Sequence, residues 1–140
     1  MKKIPELFLC FLIIAFLGIG IVLLVLPEPI LAKVDIEFDT PTAKADIRAD
    51  YGGCVLGITM FSIYCFRSRL IAIGLLCNGL ILLGYALGRV YSLGVDGVPK
   101  AIIFYLLAFE LICGIAALFL ATTASTTDAA KNRALAEADS

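Results

Sequence analysis

Residues 101–121 read AIIFYLLAFELICGIAALFLA, an apolar run broken by a single charge, Glu110. At about 1.5 Å per residue a helix of this length covers roughly 30 Å, the thickness of a bilayer's hydrocarbon core. The run therefore reads as a membrane-spanning helix. A carboxylate near its middle costs about 2.5–3.5 kcal/mol on insertion scales, so the side chain is expected to face protein rather than lipid. Gly114, Ala117 and Ala121 follow Glu110 at helical spacing. Small residues on one face let a neighbouring helix approach closely, so Glu110 is predicted to point into a bundle.

The rest of the chain has the same character. Of 140 residues, 61% are hydrophobic, and the mean hydropathy is +1.03. Soluble domains run near 45–50% apolar, so the composition points to lipid as the solvent. The net charge is −1 and the basic residues are scattered, which excludes the clustered basic surface of a nucleic-acid-binding protein. Histidine is absent, removing the commonest metal ligand and the usual neutral-pH base. Cys10, Cys54, Cys65, Cys77 and Cys113 all lie in or at the end of apolar runs without CxxC spacing. They read as small packing residues, and no metal or cofactor is expected.

Three more apolar runs, Leu7–Leu26, Tyr51–Phe66 and Leu70–Gly88, join the first. The second is short, but Thr40 before Pro41 makes a plausible N-cap and first-turn pair that starts its helix earlier. The predicted fold is all-α: an integral-membrane four-helix bundle with spans at about 7–26, 47–66, 70–91 and 101–121 and a polar C-terminal tail at 122–140. The apolar stretch of the first run exceeds a signal peptide's core of about 7–15 residues, so it is expected to be a retained anchor. With both termini cytoplasmic, Lys2, Lys3, Arg67, Arg69, Lys131 and Arg133 fall inside, and Lys33, Lys44, Arg48, Arg89 and Lys100 outside. This is the orientation favoured by the positive-inside rule. In the outer segment Val34, Ile36 and Phe38 alternate with acidic residues, as in a short strand or an interfacial segment. Asp96-Gly97 and Pro99 mark a turn.

Polar residues are few and fall in stripes. Arg48, Tyr51, Gly52, Val55, Thr59 and Ser62 follow spacings of three and four on the second helix. Asn78, Tyr85 and Arg89 lie on another stripe of the third. The Gly52-Gly53 pair, Gly53 with Gly57, and Gly84 with Gly88 are expected to permit close helix contact. Helix rise places Glu110 about 12 Å into its span and Arg89 near the outer interface, an axial gap on the order of 10–13 Å. A direct Arg89–Glu110 pair is then marginal, and Tyr85 and Asn78 are the expected first partners of the carboxyl. Two readings follow. Glu110 is either neutral glue between helices or the floor of an outward-facing polar cavity with Arg48 and Arg89 at its mouth. Tyr51, Tyr64, Tyr91 and Tyr105 lie near predicted helix ends, where an interfacial aromatic belt is expected.

Taken together, Arg48-Ala-Asp-Tyr51-Gly52-Gly53, Gly88-Arg89, Asp96-Gly97-Val-Pro99 and Glu110 resemble the bacterial four-helix membrane family catalogued as domain of unknown function 4345. The likeness covers nearly the whole chain. It implies a small four-helix protein of the bacterial inner membrane, similar in size and layout to DoxX-like quinone-associated membrane proteins, a fold-level analogy only. It also implies that Arg48, Tyr51, Gly52, Gly53, Gly88, Arg89, Asp96, Gly97 and Glu110 are the positions to watch.

The expected function is a binding or accessory protein whose outward cavity takes a small amphiphile, a lipid or a quinone. The expected ligand-binding set is Arg48, Tyr51, Asn78, Tyr85, Arg89, Asp96 and Glu110, since paired guanidiniums suit an anionic or carbonyl head. The alternatives are a membrane enzyme or redox component with Glu110 as proton donor assisted by Tyr51 or Tyr85, or a small ion-coupled transporter subunit. Membrane lipid is the expected partner, with a second copy of the chain or a partner membrane protein as further candidates.

Overall fold

The computed structural model describes residues 3–138, with side chains from 3 to 126. Six α-helices follow one another: α1 (Lys3–Val25), α2 (Pro27–Leu31), α3 (Pro41–Ile47), α4 (Cys54–Arg67), α5 (Ile71–Val95) and α6 (Ala101–Ala138). Four helical stretches are long and apolar enough to cross a membrane: Lys3–Val25, Pro41–Arg67, Ile71–Val95 and Ala101–Thr126. No strand occurs among the described residues, and the bundle is all-α.

The second span is built from α3 and α4 joined by a π-helical turn, Arg48–Gly53. Pro41 opens it with Thr40 as cap, whose Oγ1 accepts a hydrogen bond from the backbone N–H of Ala43 at 3.2 Å. The cap satisfies a donor that the first helical turn leaves unpaired. Within the π turn, the N–H of Cys54 bonds back to the carbonyl of Ala49, five residues earlier. Such wide turns are rare and interrupt the regular phase of an α-helix. The stripe expected from α-helical spacing across Arg48–Ser62 therefore does not continue unbroken. Thr59, Ser62 and Cys65 form the buried face of α4, and Arg48 belongs to a differently phased segment.

Other expectations are corrected at the helix ends. The segment with alternating Val34, Ile36 and Phe38 forms no strand. It leaves a 3-10 turn, Ala32–Val34, through Asp35 at φ +60°, and its three apolar residues are half-buried between exposed acidic ones. The helix of α6 does not stop near residue 121 but runs on to Ala138. Its threonines help, since Thr122, Thr123 and Thr126 return their hydroxyl protons to the carbonyls of Phe119, Leu120 and Thr123. They thus stay inside the helix and do not compete with it.

Helices α5 and α6 form an antiparallel hairpin, and α1 lies against α4 and the π turn. α1 and α5 also pack on each other, and α1 touches α6. The shared core is Leu9, Leu12 and Phe16 of α1, Ile71, Leu75 and Leu82 of α5, and Cys113, Ala117 and Ala121 of α6. These residues sit toward the membrane face that carries the N-terminus of α1 and the α4–α5 turn, where Arg69 pairs with Glu6 at 3.3 Å. We call it the terminal face. On the opposite, loop face, Lys100 pairs with Asp35 and Lys44 with Glu28.

Helix association in lipid rests on close van der Waals packing and polar contacts, because lipid is as apolar as the side chains. Two glycine seams supply it. Between α5 and α6, a Cβ on Gly79 would lie 2.8 Å from Leu118 Cδ2 and 3.2 Å from the carbonyl of Gly114, and one on Gly114 would lie 2.9 Å from Leu83 Cδ2. Between α1 and the second span, a Cβ on Gly52 would come within 2.8 Å of the Leu24 backbone nitrogen. One on Gly20 would come within 2.8 Å of Leu56. Where Leu9, α4 and α5 meet, Thr59, Ser62 and Asn78 make a fully buried polar layer.

Candidate functional site

The polar centre of the bundle is an ion pair between the two helices of the α5–α6 hairpin. Arg89 Nε donates to both carboxylate oxygens of Glu110, at 3.0 and 2.9 Å. Only 8% of the Glu110 side chain is exposed, against 27% for Arg89. The depth count that made this pair marginal is corrected for two reasons. First, α5 reaches Val95, a turn beyond its expected end, so Arg89 lies six residues inside the helix terminus. Glu110 lies nine residues into α6, and the axial offset shrinks to about 4–5 Å. Second, side chains lean toward the N-terminus of their own helix. In an antiparallel hairpin, Arg89 therefore leans toward the terminal face and Glu110 toward the loop face, and the two converge.

The bifurcated bond uses only Nε. Neither terminal nitrogen of the Arg89 guanidinium has a hydrogen-bond partner among the described residues. The pair is charge-neutral as a unit, yet it retains four unused N–H donors on a planar fork. Tyr85, one turn below Arg89 on α5, is 42% exposed and lies within electrostatic reach of Cys54 and Tyr51 from the second span and of Glu110 and Arg89. Tyr51, on the π turn, is 40% exposed. Tyr85 thus lies between the pair and Tyr51 of the second span in electrostatic reach.

Asn78, the other expected partner of Glu110, is engaged elsewhere. Its Nδ2 donates to Ser62 Oγ and to the carbonyl of Gly74, both at 2.7 Å. The Ser62 hydroxyl in turn donates to Ile58 and that of Thr59 to Val55. Asn78 therefore ties α5 to α4 and does not join the Glu110 group. Asp96 is also local, accepting from Ser92 Oγ at 2.8 Å across the last turn of α5. Gly97 serves the turn that follows, at φ +96°, a conformation that L-residues adopt rarely.

The glycine expectations divide. Gly52 makes the close contact with α1 described above, whereas Gly53 meets only the Arg48 carbonyl of its own helix at 3.6 Å. A Cβ on Gly57, Gly84 or Gly88 would meet nothing within 4 Å, so the predicted small-residue contacts at these positions are not formed among the described residues. The seam that does form, Gly79 with Gly114, lacked a small residue four positions away on α5 and so escaped a pattern search along one helix.

Arg48 has no hydrogen bond or ion pair with the Glu110 group among the described residues. It lies at the loop-face end of the second span, where its charge acts on Glu28. Glu28 itself is hydrogen-bonded to Lys44, which holds its carboxyl below the ordinary range, with the Lys44 charge adding to the effect and slight desolvation opposing it. The Nε of Arg48 is sealed from solvent and has no acceptor. Beside this group, Glu28, Ala32, Ile36, Glu37, Phe38 and Asp39 line a shallow cavity of about 190 Å³. No group of three metal-ligating residues is present among the described residues.

A helical bundle of four spans long and apolar enough to cross a membrane, with an ion pair inside it, defines the class as a multi-pass membrane protein. The chain belongs to the family described as domain of unknown function DUF4345, whose model matches residues 4–121. Comparison with curated proteins and with solved structures gives no match.

Proposed function

We propose that this protein is a binding or accessory protein of the bacterial cytoplasmic membrane, with both termini inside. It takes the head of a small amphiphile, a lipid or a quinone, between α4 and α5 on the loop side. The observation that carries this reading is the state of Arg89, a guanidinium held at membrane depth through Nε, with both terminal nitrogens unspent.

A lone cation in a span is costly, but one neutralised by Glu110 is tolerated and still donates hydrogen bonds. A neutral acceptor such as a carbonyl suits it best, because an anion would restore a net charge in a low-dielectric setting. Tyr51 and Tyr85 supply aromatic faces beside the head. Gly57, Gly84 and Gly88, where a Cβ would meet nothing within 4 Å, leave room along the helices for an apolar tail.

The binding reading is favoured over Glu110 as proton donor, because both carboxylate oxygens already accept from Arg89. Native mass spectrometry of protein released from membranes tests it. Arg89→Ala is expected to abolish retention of the co-purifying amphiphile, and unchanged retention refutes the reading. Glu110→Gln keeps an acceptor for Nε and is expected to preserve part of the binding, whereas a proton-transfer role would be lost outright.

A further inference from the structure

Arg48 differs from every other cation of the described chain. Lys44, Arg69, Arg89 and Lys100 each have a carboxylate partner. Lys3, Lys33 and Arg67 have none but are exposed. Arg48 has none and is partly enclosed, with its Nε shut off from solvent and lacking any acceptor. A buried donor on a charged group costs more than an ordinary unmade hydrogen bond. Arginine cannot relieve that cost by losing its proton. The described residues supply no acceptor, so it must come from elsewhere.

Position and charge narrow its chemistry. Gly52 backs onto Leu24, at the end of α1. Arg48 lies one turn further out, roughly 6 Å beyond it along the helix, beside α2 where the chain has left its apolar run. This is head-group depth. The charged groups here are Glu28, taken by Lys44, Glu37 and Asp39 beside the cavity, and Arg48, whose charge also acts on Glu28. Asp46 and Asp50 are exposed and form no ion pair with Arg48. Arg48 is left with no ion-pair partner among the described residues. A water would satisfy Nε but not the charge, whereas a phosphate oxygen satisfies both, and the guanidinium fork matches its geometry. From this we infer that Arg48 is a binding site for a phosphate group at the loop-face head-group level, separate from the Arg89–Glu110 pair.

The full chain in detergent, titrated with phosphatidylglycerol and followed by native mass spectrometry, tests this. The unsubstituted protein is expected to retain one such lipid, and Arg48→Gln to weaken its retention about tenfold or more, as befits a lost charge-assisted bond. Arg48→Lys keeps the charge and tolerates the fold but loses the Nε donor, so a smaller loss is expected. Arg67→Gln should leave retention unchanged, and Arg48→Gln should leave the amphiphile of the Arg89 site in place, which separates a failure here from a failure of the proposed amphiphile site. Phosphatidylcholine, whose head adds a positive charge, should bind more weakly. Displacement of the lipid by millimolar inorganic phosphate identifies a free anion as a competent occupant, and resistance to it identifies the lipid. Either result supports the site. Equal retention by the unsubstituted protein and by both Arg48 variants overturns it.

Discussion

Removing Arg89 should hurt this protein more than removing its partner Glu110, and the structure supplies the reason. Arg89→Gln leaves a carboxylate whose side chain is 8% exposed, about two and a half helical turns from the end of α6. Breaking a buried pair from one side costs about 3–5 kcal/mol in soluble proteins. Protonation caps the penalty, because holding a proton at pH 7 on a carboxyl of ordinary value near 4.3 costs about 3.7 kcal/mol. We therefore expect a loss of about 3 kcal/mol. Glu110→Gln leaves the guanidinium instead, with 27% of its side chain exposed and the helix end six residues away. A long basic side chain can carry its charge toward the interface while its stem stays in lipid. The new amide oxygen still accepts from Nε, so the loss should be about 1 kcal/mol.

In the double variant two amides face each other, and a polar pair of this kind in a membrane is worth roughly 0.6 kcal/mol. The double variant should thus be more stable than Arg89→Gln alone. Reversible unfolding in mixed micelles by titration with dodecyl sulfate at pH 7 measures all three, and the Arg89→Gln penalty should shrink as the pH is lowered. If Glu110→Gln costs as much as Arg89→Gln, or the two losses simply add, the pair does not hold Glu110 as described.

The glycine seams give opposite expectations on one helix in the same unfolding assay. Gly79→Ala puts a Cβ within 2.8 Å of Leu118 Cδ2 and 3.2 Å of the Gly114 carbonyl and should cost about 1–3 kcal/mol. Gly84→Ala meets nothing within 4 Å and should be neutral or stabilise by up to about 1 kcal/mol. Ser62→Ala removes an acceptor of Asn78 and should cost about 0.6 kcal/mol, at most about 1.7. The Glu28–Lys44 pair predicts a small pH dependence. Because the folded-state pKa of Glu28 is depressed, its contribution is complete above the ordinary carboxylate value of 4.5 and is lost as pH falls through the lower folded value. Comparing acid unfolding midpoints of the unsubstituted chain and Glu28→Gln checks this, and the variant should show the shallower acid loss.

Apolar run length and one capping pair made the four spans legible, and small residues at helical spacing turned Glu110 inward. Partners were harder to read. Sequence puts the end of α5 near Tyr91, ahead of the Asp96-Gly97 and Pro99 turn signals, yet Ser92 bonds Asp96 across the last turn and the helix continues to Val95. That single turn decided whether Arg89 reached Glu110. Glycine spacing along one helix misled because close approach depends on what faces the glycine, and Gly79 is matched across the seam by Gly114. The Arg48–Ser62 stripe assumed an α-helical period that the π turn does not keep. The Gly52-Gly53 pair at its end is a weak helix former, yet glycine pairs also occur where helices pack closely, so it does not single out such a turn.

The π turn also has a consequence for how this chain tolerates change. It holds one residue more than a regular turn at that place, so it works as a vernier between the loop face and the core. Deleting Ala49, for instance, would return the stretch to α-helical winding with one residue fewer for about the same rotation, so Lys44 would keep its facing toward Glu28 while Thr59 and Ser62 kept their seats. The two ends of the second span are therefore set by separate constraints. Sequence drift in the head-group segment need not disturb the buried layer beneath it, and length changes should be tolerated on the loop side of Gly52 far more readily than beyond it.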